Sequence, residues 1–161
     1  MGYYHVAQVC LNGHVITSSA DFVPDHCKKF YPDCGQPTIT KCPHCQENIQ
    51  GDYERPGFYP INGRHYKPPA YCVNCGNPYP WTLARVKAAE ELIAEDEELN
   101  NQEKRILKKS LPDLVNDTPG TQLAATRFRK FMKKAALITG EGLKQILIDI
   151  ISESTRKLLW P

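Results

Sequence analysis

The sequence has no cysteine after residue 75, no apolar run long enough to span a membrane and no familiar catalytic motif. A membrane-spanning helix needs roughly 18 consecutive apolar residues, so none is expected. The first residues carry no basic segment followed by an apolar signal core, which favours a cytoplasmic protein. H-E-x-x-H, G-x-S-x-G, a paired-carboxylate motif and a phosphate-binding glycine loop are all missing. The sequence therefore predicts neither an enzyme nor a small-molecule substrate.

The composition is that of a soluble globular protein, with 41% hydrophobic and 24% charged residues in a chain of 161. The formal net charge is only +2. Residues 1–81 hold six Lys/Arg and six Asp/Glu, and residues 82–161 hold fourteen and twelve. Neither half is charged strongly enough to indicate a partner by charge alone.

All seven cysteines lie between residues 10 and 75, and this asymmetry divides the chain. Residues 1–81 are rich in Gly, Pro and Tyr, with short strands predicted at Val6 to Val9, Val15 to Thr17 and Thr38 to Thr40. Residues 82–161 predict three to four helices. The expected fold is therefore α+β, with an N-terminal tandem zinc-ribbon-like module followed by a helical domain.

Two C-x-x-C motifs, Cys42-Pro-His-Cys45 and Cys72-Val-Asn-Cys75-Gly76, are separated by 26 residues. Each motif presents two thiolates from one tight turn, a loop called a knuckle. Two facing knuckles form the closed tetrahedral cage of four thiolates that a structural zinc ion prefers. An odd cysteine count without an export signal also favours metal ligands over disulfides. We therefore predict a zinc site at Cys42, Cys45, Cys72 and Cys75.

The segment between these knuckles contains three turn signals. Gly51 and Pro56-Gly57 are turn formers, and Asn62-Gly63 is a typical two-residue hairpin sequence. A short antiparallel sheet is expected there, as in a zinc ribbon.

A second zinc site is predicted from an earlier set of residues. In Cys10-Leu-Asn-Gly-His14, Gly13 permits a tight turn and His14 replaces a second thiolate. Cys34-Gly35 has the form of a knuckle end, but Tyr31 stands where its first cysteine would be. We expect Cys10, His14, Cys27 and Cys34 to bind one zinc ion, with His26 as an alternative to Cys27. If this site is degraded, Cys10 and Cys27 are simply buried apolar side chains.

Two sites can be connected in two ways. Sequential pairing produces tandem ribbons, whereas interleaved pairing produces the cross-brace of ubiquitin-ligase-type modules. Short loops close at low entropic cost, which favours the sequential arrangement.

Several longer stretches resemble a bacterial family of uncharacterised cysteine-rich, zinc-ribbon-like proteins, and the resemblance covers nearly the whole chain. These stretches are Val9–Thr17, Cys42–Cys45 with Ile49 to Gly51, Tyr66–Thr82, Ser110–Leu114 and Asp117-Thr118-Pro119. The resemblance implies this layout of motifs. It does not indicate a particular activity. The chain departs from the family at Tyr31, where members carry the first cysteine of a C-x-x-C.

Four helices are expected after Trp81. The first runs from an N-cap at Thr82 to about Leu99, with Ala89, Leu92, Ile93 and Leu99 on one face. A second runs from about Asn101 to Ser110 and ends at Leu111-Pro112, and Thr118-Pro119 opens a third. The last is expected from about Glu141 to Leu159, with a stripe of Leu143, Ile146, Leu147, Ile150, Ile151 and Leu158 that Ser154 continues.

The third helix carries a basic run without acidic residues between Thr118 and Gly140. The run consists of Arg127, Arg129, Lys130, Lys133 and Lys134. It is either a phosphate-binding face for nucleic acid or a face that is solvated or paired with acidic residues. Its apolar stripe is predicted at Ala124, Phe128, Phe131, Met132 and Ala135.

Ile148, Leu159 and Trp160 fall outside the stripe of the last helix. This surplus of apolar residues indicates either a helix packed between neighbours of its own domain or a contact with a second subunit or another protein.

Three functional hypotheses follow. The preferred one is a non-catalytic zinc-binding scaffold or adaptor that mediates protein–protein interaction, as a subunit of a larger bacterial assembly. The alternative is a nucleic-acid-binding zinc-ribbon protein that uses the helix Arg127 to Lys134. A cross-brace, ligase-like adaptor is the weaker third.

Overall fold

A computed structural model describes residues 1–58 and 65–161. The chain forms two compact units, Met1–Leu83 and Ala84–Pro161. Small antiparallel sheets lie in the first unit and helices account for the second. The predicted α+β class is confirmed.

The described part of the first unit contains five short strands in two sheets. They are β1 Tyr3–Val6, β2 Gln8–Cys10, β3 Val15–Thr17, β4 Thr38–Ile39 and β5 Gln50–Glu54. β1 pairs with β5, and β2 lies between β3 and β4, with every pairing antiparallel. The strand predicted from Val6 to Val9 is therefore two strands in different sheets. The chain changes sheet at the fully buried Ala7, whose N–H bonds to the Ile49 carbonyl at 2.9 Å.

Gly51 lies within strand β5, so its predicted role as a turn former is wrong. The Ser18 carbonyl approaches so closely that a Cβ built on Gly51 would lie 2.0 Å from its oxygen. Glycine is needed here for this close approach of two backbones, not for a turn. Pro56-Gly57 does form the predicted turn, with Gly57 at a φ of 80°. Asn62-Gly63 lies outside the described residues.

The core of the first unit is small and includes two of the predicted metal ligands. Its buried members are Ala7, Val9, Cys42, Ile49, Cys72, Tyr79 and Trp81. The rings of Tyr79 and Trp81 stack with centroids 4.6 Å apart, and the Trp81 indole donates to the Pro69 carbonyl at 3.0 Å. Such a small core supplies limited burial energy, so a bound metal would contribute to folding.

Five helices follow, which is more than the three to four predicted. They are α1 Pro80–Glu95, α2 Asn101–Asn116, α3 Thr121–Met132, α4 Leu137–Leu147 and α5 Glu153–Leu159. The division between the two units falls within α1.

The predicted start and end of α1 are both wrong. The helix begins at Pro80, because the fixed φ of proline suits a first helical turn, and the Thr82 hydroxyl donates to the Ala70 carbonyl at 2.8 Å. At the other end the helix stops at Glu95. Asp96 then turns inward, and Leu99 is buried beyond the helix.

Helix α2 continues past Pro112, which we expected to end it. Its start is fixed by a capping box, in which the Asn100 side chain accepts from the Glu103 N–H and the Glu103 carboxylate accepts from the Asn100 N–H. Helix α3 starts at Thr121, three residues after Thr118. The Thr118 hydroxyl accepts from the Gly120 N–H at 3.1 Å and donates to Asp113 at 2.7 Å.

The predicted last helix is two helices. The Ser152 side chain accepts from the Thr155 N–H at 3.1 Å and caps α5, so the helical phase changes there. Leu143, Leu147, Ile150 and Ile151 are buried as predicted, whereas α5 buries Thr155 and Leu159 and exposes Ser154. Helix α4 also begins before Glu141, and its first residues Leu137 and Ile138 are both 79% exposed.

Candidate metal centres

Two knuckles with the same backbone hydrogen bonds carry the four predicted cysteines. In the first, the Cys42 N–H donates to Glu47 and the Cys42 carbonyl accepts from Gln46. In the second, the Cys72 N–H donates to Asn77 and the Cys72 carbonyl accepts from Gly76. The residue after each second cysteine is left-handed, with φ 63° at Gln46 and 72° at Gly76. Sequences separated by 26 residues therefore build the same turn.

The two knuckles bring four sulfur atoms together. The sulfurs of Cys42 and Cys75 are 3.8 Å apart, those of Cys45 and Cys72 are 3.6 Å apart, and all four lie within 4.8 Å of one another. A tetrahedron with Zn–S bonds of about 2.3 Å has edges of about 3.8 Å. A disulfide would place two sulfurs about 2.05 Å apart, so these cysteines are free thiols. The cluster fits a tetrahedral zinc ion.

The cage is half inside the core and half at its edge. Cys42 and Cys72 are buried, whereas Cys45 and Cys75 are partly exposed. The residues between the cysteines, including His44 and Val73, are exposed. His44 is not part of the cluster. The Asn77 amide donates to the Cys75 sulfur at 3.4 Å and so helps to orient this candidate ligand. This contact was not predicted from the sequence.

The thiols of this cage have very different proton affinities. Burial raises the pKa of Cys42 to about 11. Burial acts in the same direction on Cys72, but the N–H groups of Cys75 and Asn74 outweigh it and lower that pKa to about 6. The Asn77 side chain lowers the pKa of Cys75. The Cys42 thiol thus resists ionisation, and a divalent cation bound beside it would favour its thiolate form.

The earlier group consists of Cys10, His14 and Cys34. The Cys10 sulfur is 3.4 Å from Nδ1 of His14 and 3.8 Å from the Cys34 sulfur. Gly13 permits this turn at a φ of 89°, and a Cβ there would also lie 2.9 Å from Cβ of Trp81. These three side chains could hold a metal ion.

A third knuckle presents Cys34. The Tyr31 N–H donates to Gln36, the Tyr31 carbonyl accepts from Gly35, and Phe30 forms an isolated bridge with Pro37. Equivalent bridges, Lys41 with Asn48 and Tyr71 with Pro78, flank the other two knuckles. Tyr31 thus occupies the place of Cys42 and Cys72, and its ring stacks on His14 with centroids 4.6 Å apart. Compared with the other two knuckles of this chain, the third has a tyrosine in place of its first cysteine and keeps the same turn.

The structure does not place Cys27 in either group, contrary to our expectation for the fourth ligand of the earlier site. Cys27 follows a short 3₁₀ turn, Pro24–His26, and His26 is exposed and also outside both groups. Cys27 lies seven residues before Cys34 and is not part of its knuckle, because the hydrogen bonds of the knuckle that presents Cys34 begin at Tyr31. The two groups follow the order of the chain, which is the sequential arrangement.

The predicted basic residues lie in the second unit, on α3 and just after it. Arg127, Arg129, Lys130, Lys133 and Lys134 are all exposed. Lys134 contacts the Glu103 carboxylate of α2 at 2.8 Å, and this hydrogen bond lowers the pKa of Glu103. Arg127 and Lys130 also line a groove between α2 and α3 together with Lys109 and Asp113.

One sequence family, described as "Uncharacterized protein conserved in bacteria (DUF2321)", matches residues 3–159. The chain belongs to this family. The resemblance inferred from the motifs is therefore confirmed, and the family description names no activity. No curated protein and no solved structure matches the chain. Within residues 1–58 and 65–161, no helix has the length and apolar character needed to cross a membrane.

Proposed function

We propose that this member of the family is a non-catalytic, zinc-binding scaffold that mediates protein–protein contacts. Zinc ions at the two groups would hold the first unit as a tandem, zinc-ribbon-like module. The observation that carries this proposal is the cage of four sulfurs at Cys42, Cys45, Cys72 and Cys75. Four protein ligands close a tetrahedral zinc site, whereas catalytic zinc keeps one position for water or substrate. This cage is thus suited to stabilising structure.

Exposed apolar side chains in the second unit support the contact role. Leu137 and Ile138 begin α4 side by side, and both are 79% exposed. Residues at the C-terminus make contacts within their own unit, because Leu159 is buried and the Trp160 ring contacts Phe128 edge to face at 5.9 Å. We therefore place the proposed contact surface for another protein, or for a second copy of the chain, at the start of α4.

Three measurements test this proposal. Metal analysis of the purified chain should give two zinc ions, and sedimentation should show whether the chain associates with itself. A pull-down from the native host should then recover a partner that the Leu137→Asp, Ile138→Asp variant loses. Leu123→Asp is the matched control, because Leu123 is 55% exposed on α3. Equal recovery by all three proteins would contradict a contact at α4, and absence of zinc would contradict the scaffold.

A nucleic-acid-binding role is the second candidate, because five basic side chains are exposed on one segment. Two facts weigh against it: Lys134 is paired with Glu103, and the net charge is only +2. Phosphate contacts release counterions, so true binding would weaken steeply with salt. Retention on DNA or RNA that falls with salt, and that Arg127→Ala with Lys130→Ala reduces, would favour this role over the scaffold. The cross-brace adaptor needs interleaved ligands, so the sequential grouping does not support it.

A further inference from the structure

We infer that the metal at Cys10, His14 and Cys34 keeps its fourth coordination position open for an external thiolate. The inference rests on the proposed zinc-binding function and concerns only the earlier of the two groups. It would make the two metal centres chemically different, with one closed site that maintains the fold and one site that takes a ligand.

The equivalence of the three knuckles shows where the fourth ligand would be. Cys42 and Cys72 start their knuckles and contribute sulfurs to the closed cage. Tyr31 starts the third knuckle with the same pair of backbone hydrogen bonds. The backbone is therefore folded for a fourth cysteine, and the side chain that the sequence supplies there has no sulfur.

The Tyr31 ring is engaged with a ligand residue of the same site. It lies nearly parallel to the His14 imidazole, with an interplanar angle of 26°. Stacking of this kind fixes the orientation of the imidazole, whose Nδ1 faces the Cys10 sulfur at 3.4 Å. Tyr31 thus acts as a positioning residue for His14.

Within the described residues, no other Cys, His, Asp or Glu side chain joins the group of Cys10, His14 and Cys34. Within residues 1–58 and 65–161, the group contains three Cys, His, Asp or Glu side chains. Residues 59–64 have the sequence Tyr-Pro-Ile-Asn-Gly-Arg, which includes none of these residue types. Zinc is almost always four-coordinate, so a site with three protein ligands takes its fourth from outside.

The site is also accessible. His14 is exposed and Cys34 is partly exposed, whereas the closed cage has two buried ligands. The two thiolates and the imidazole form a soft donor set, and adding a third sulfur produces the Cys₃His composition found in structural zinc sites. A small thiol or an exposed cysteine side chain has this chemistry.

Cobalt(II) substitution tests the inference on the full chain, with 2-mercaptoethanol as the probe and ethylene glycol as the sulfur-free control. Wild-type protein with two cobalt ions should show increased sulfur-to-cobalt charge-transfer absorption on adding the thiol and none with the glycol. Tyr31→Cys should show this higher absorption without added thiol. The increase should be about one sixth of the wild-type absorption, because seven thiolates would bind cobalt instead of six. Adding 2-mercaptoethanol to this variant should change nothing further.

Two further variants complete the design. Tyr31→Phe keeps the ring and removes the hydroxyl, and it should respond to thiol as wild type does. Cys27→Ser should also respond as wild type does. A changed cobalt spectrum of Tyr31→Phe before thiol addition would make the phenol the fourth ligand and overturn the inference. A decrease of the sulfur-to-cobalt absorption by one thiolate in Cys27→Ser would show that Cys27 is the fourth ligand, and it would overturn the inference.

The result separates this inference from the proposed function. If the chain binds two cobalt ions and thiol leaves the spectrum unchanged, the open position is wrong and the zinc scaffold stands. If only the four-thiolate spectrum appears, with one cobalt ion, the earlier site is wrong and the closed cage still stands. If no cobalt or zinc binds, both proposals fail.

Discussion

The ring of Tyr31 stacks on the imidazole of His14, with ring centroids 4.6 Å apart. His14 closes the turn that starts at Cys10, and Tyr31 starts the knuckle that presents Cys34. The contact therefore joins the two loops that bring the three candidate ligands together. In the closed cage, the sulfur atoms of Cys42 and Cys75, and those of Cys45 and Cys72, make the corresponding link between two loops.

Cys72→Ser should release zinc from the cage and unfold the first unit. Structural zinc sites contribute about 10–16 kcal/mol of apparent binding energy in small peptides at neutral pH, and this unit has a small core. We expect loss of both zinc ions per chain by metal analysis, because the group of Cys10, His14 and Cys34 lies in the same unit, together with loss of amide NMR dispersion for residues 1–83. Cys27→Ser is the control and should leave both unchanged. A folded first unit in Cys72→Ser would show that the core, not the metal, supports the fold.

Gly51→Ala should destabilise the first unit by about 3 kcal/mol, at the upper end of overpacking costs. The new Cβ would lie 2.0 Å from the Ser18 carbonyl oxygen, and backbone atoms on both sides limit any adjustment. Gly57→Ala is the matched control. It meets nothing within 4 Å and carries only the left-handed penalty, about 1–2 kcal/mol. Equal midpoints in urea unfolding for the two variants would contradict the close approach at Ser18.

Asp96→Asn should destabilise the second unit by about 1–3 kcal/mol at neutral pH. Asp96 is only 3% exposed, and its carboxylate accepts from the N–H groups of Glu98, Leu99 and Ala136. Burial alone would raise the pKa of Asp96, but hydrogen bonds from Thr139 and these N–H groups outweigh it and lower the pKa.

Because the folded-state pKa of Asp96 is lowered, its contribution is present above the ordinary value of about 3.9 and is lost as pH falls through the folded value. The difference in unfolding free energy between wild type and Asp96→Asn should shrink in acid accordingly. Glu95→Gln is the control, since Glu95 is exposed at the end of α1, and it should change stability by less than about 0.5 kcal/mol. A pH-independent effect of Asp96→Asn would refute the role of the charge.

His5 should stabilise the first unit most in mild acid. It is 6% exposed, with Nδ1 3.0 Å from Asp21 and Nε2 2.6 Å from Glu54. Burial alone would lower the pKa of His5, but the two carboxylates outweigh it and raise the pKa. The stabilising charge is therefore fully present below about 6.5, the unfolded value, and is lost as pH rises through the raised folded value.

Comparing wild type with His5→Gln isolates this effect, because both proteins contain the same metal centres and the pH dependence of metal binding cancels. The difference in unfolding free energy should be greatest near pH 6 and should decrease in alkaline solution. Asp21 remains ionised over this range: burial would raise its pKa, but the Val6 N–H and His5 outweigh it and lower the pKa. A difference that grows with pH would show that His5 is neutral in the fold.

The sequence predicted the features that depend on local chemistry. The knuckle at Cys42 and the knuckle at Cys72 are short turns whose spacing alone sets the geometry of their thiols. Val15 to Thr17 is likewise a strand as predicted, and Ala89 and Ile93 face inward on α1. Local patterns predicted the helix ends less well. Helix α1 begins at Pro80 and not after an N-cap at Thr82, and Ser152 caps a separate helix within the predicted last one.

Local sequence specifies the two knuckles at residues 42–45 and 72–75, whose four cysteines could hold a metal ion, because each turn is closed by hydrogen bonds within six residues. Which side chains share the other group depends on tertiary contacts. The loops at Cys10 and Cys34 meet across strands β2 and β4. This meeting places Tyr31 on His14 and leaves Cys27 outside the group. The same is true of Gly51, whose need for glycine arises from a carbonyl 33 residues away in the chain, a distance at which sequence spacing carries no geometric information.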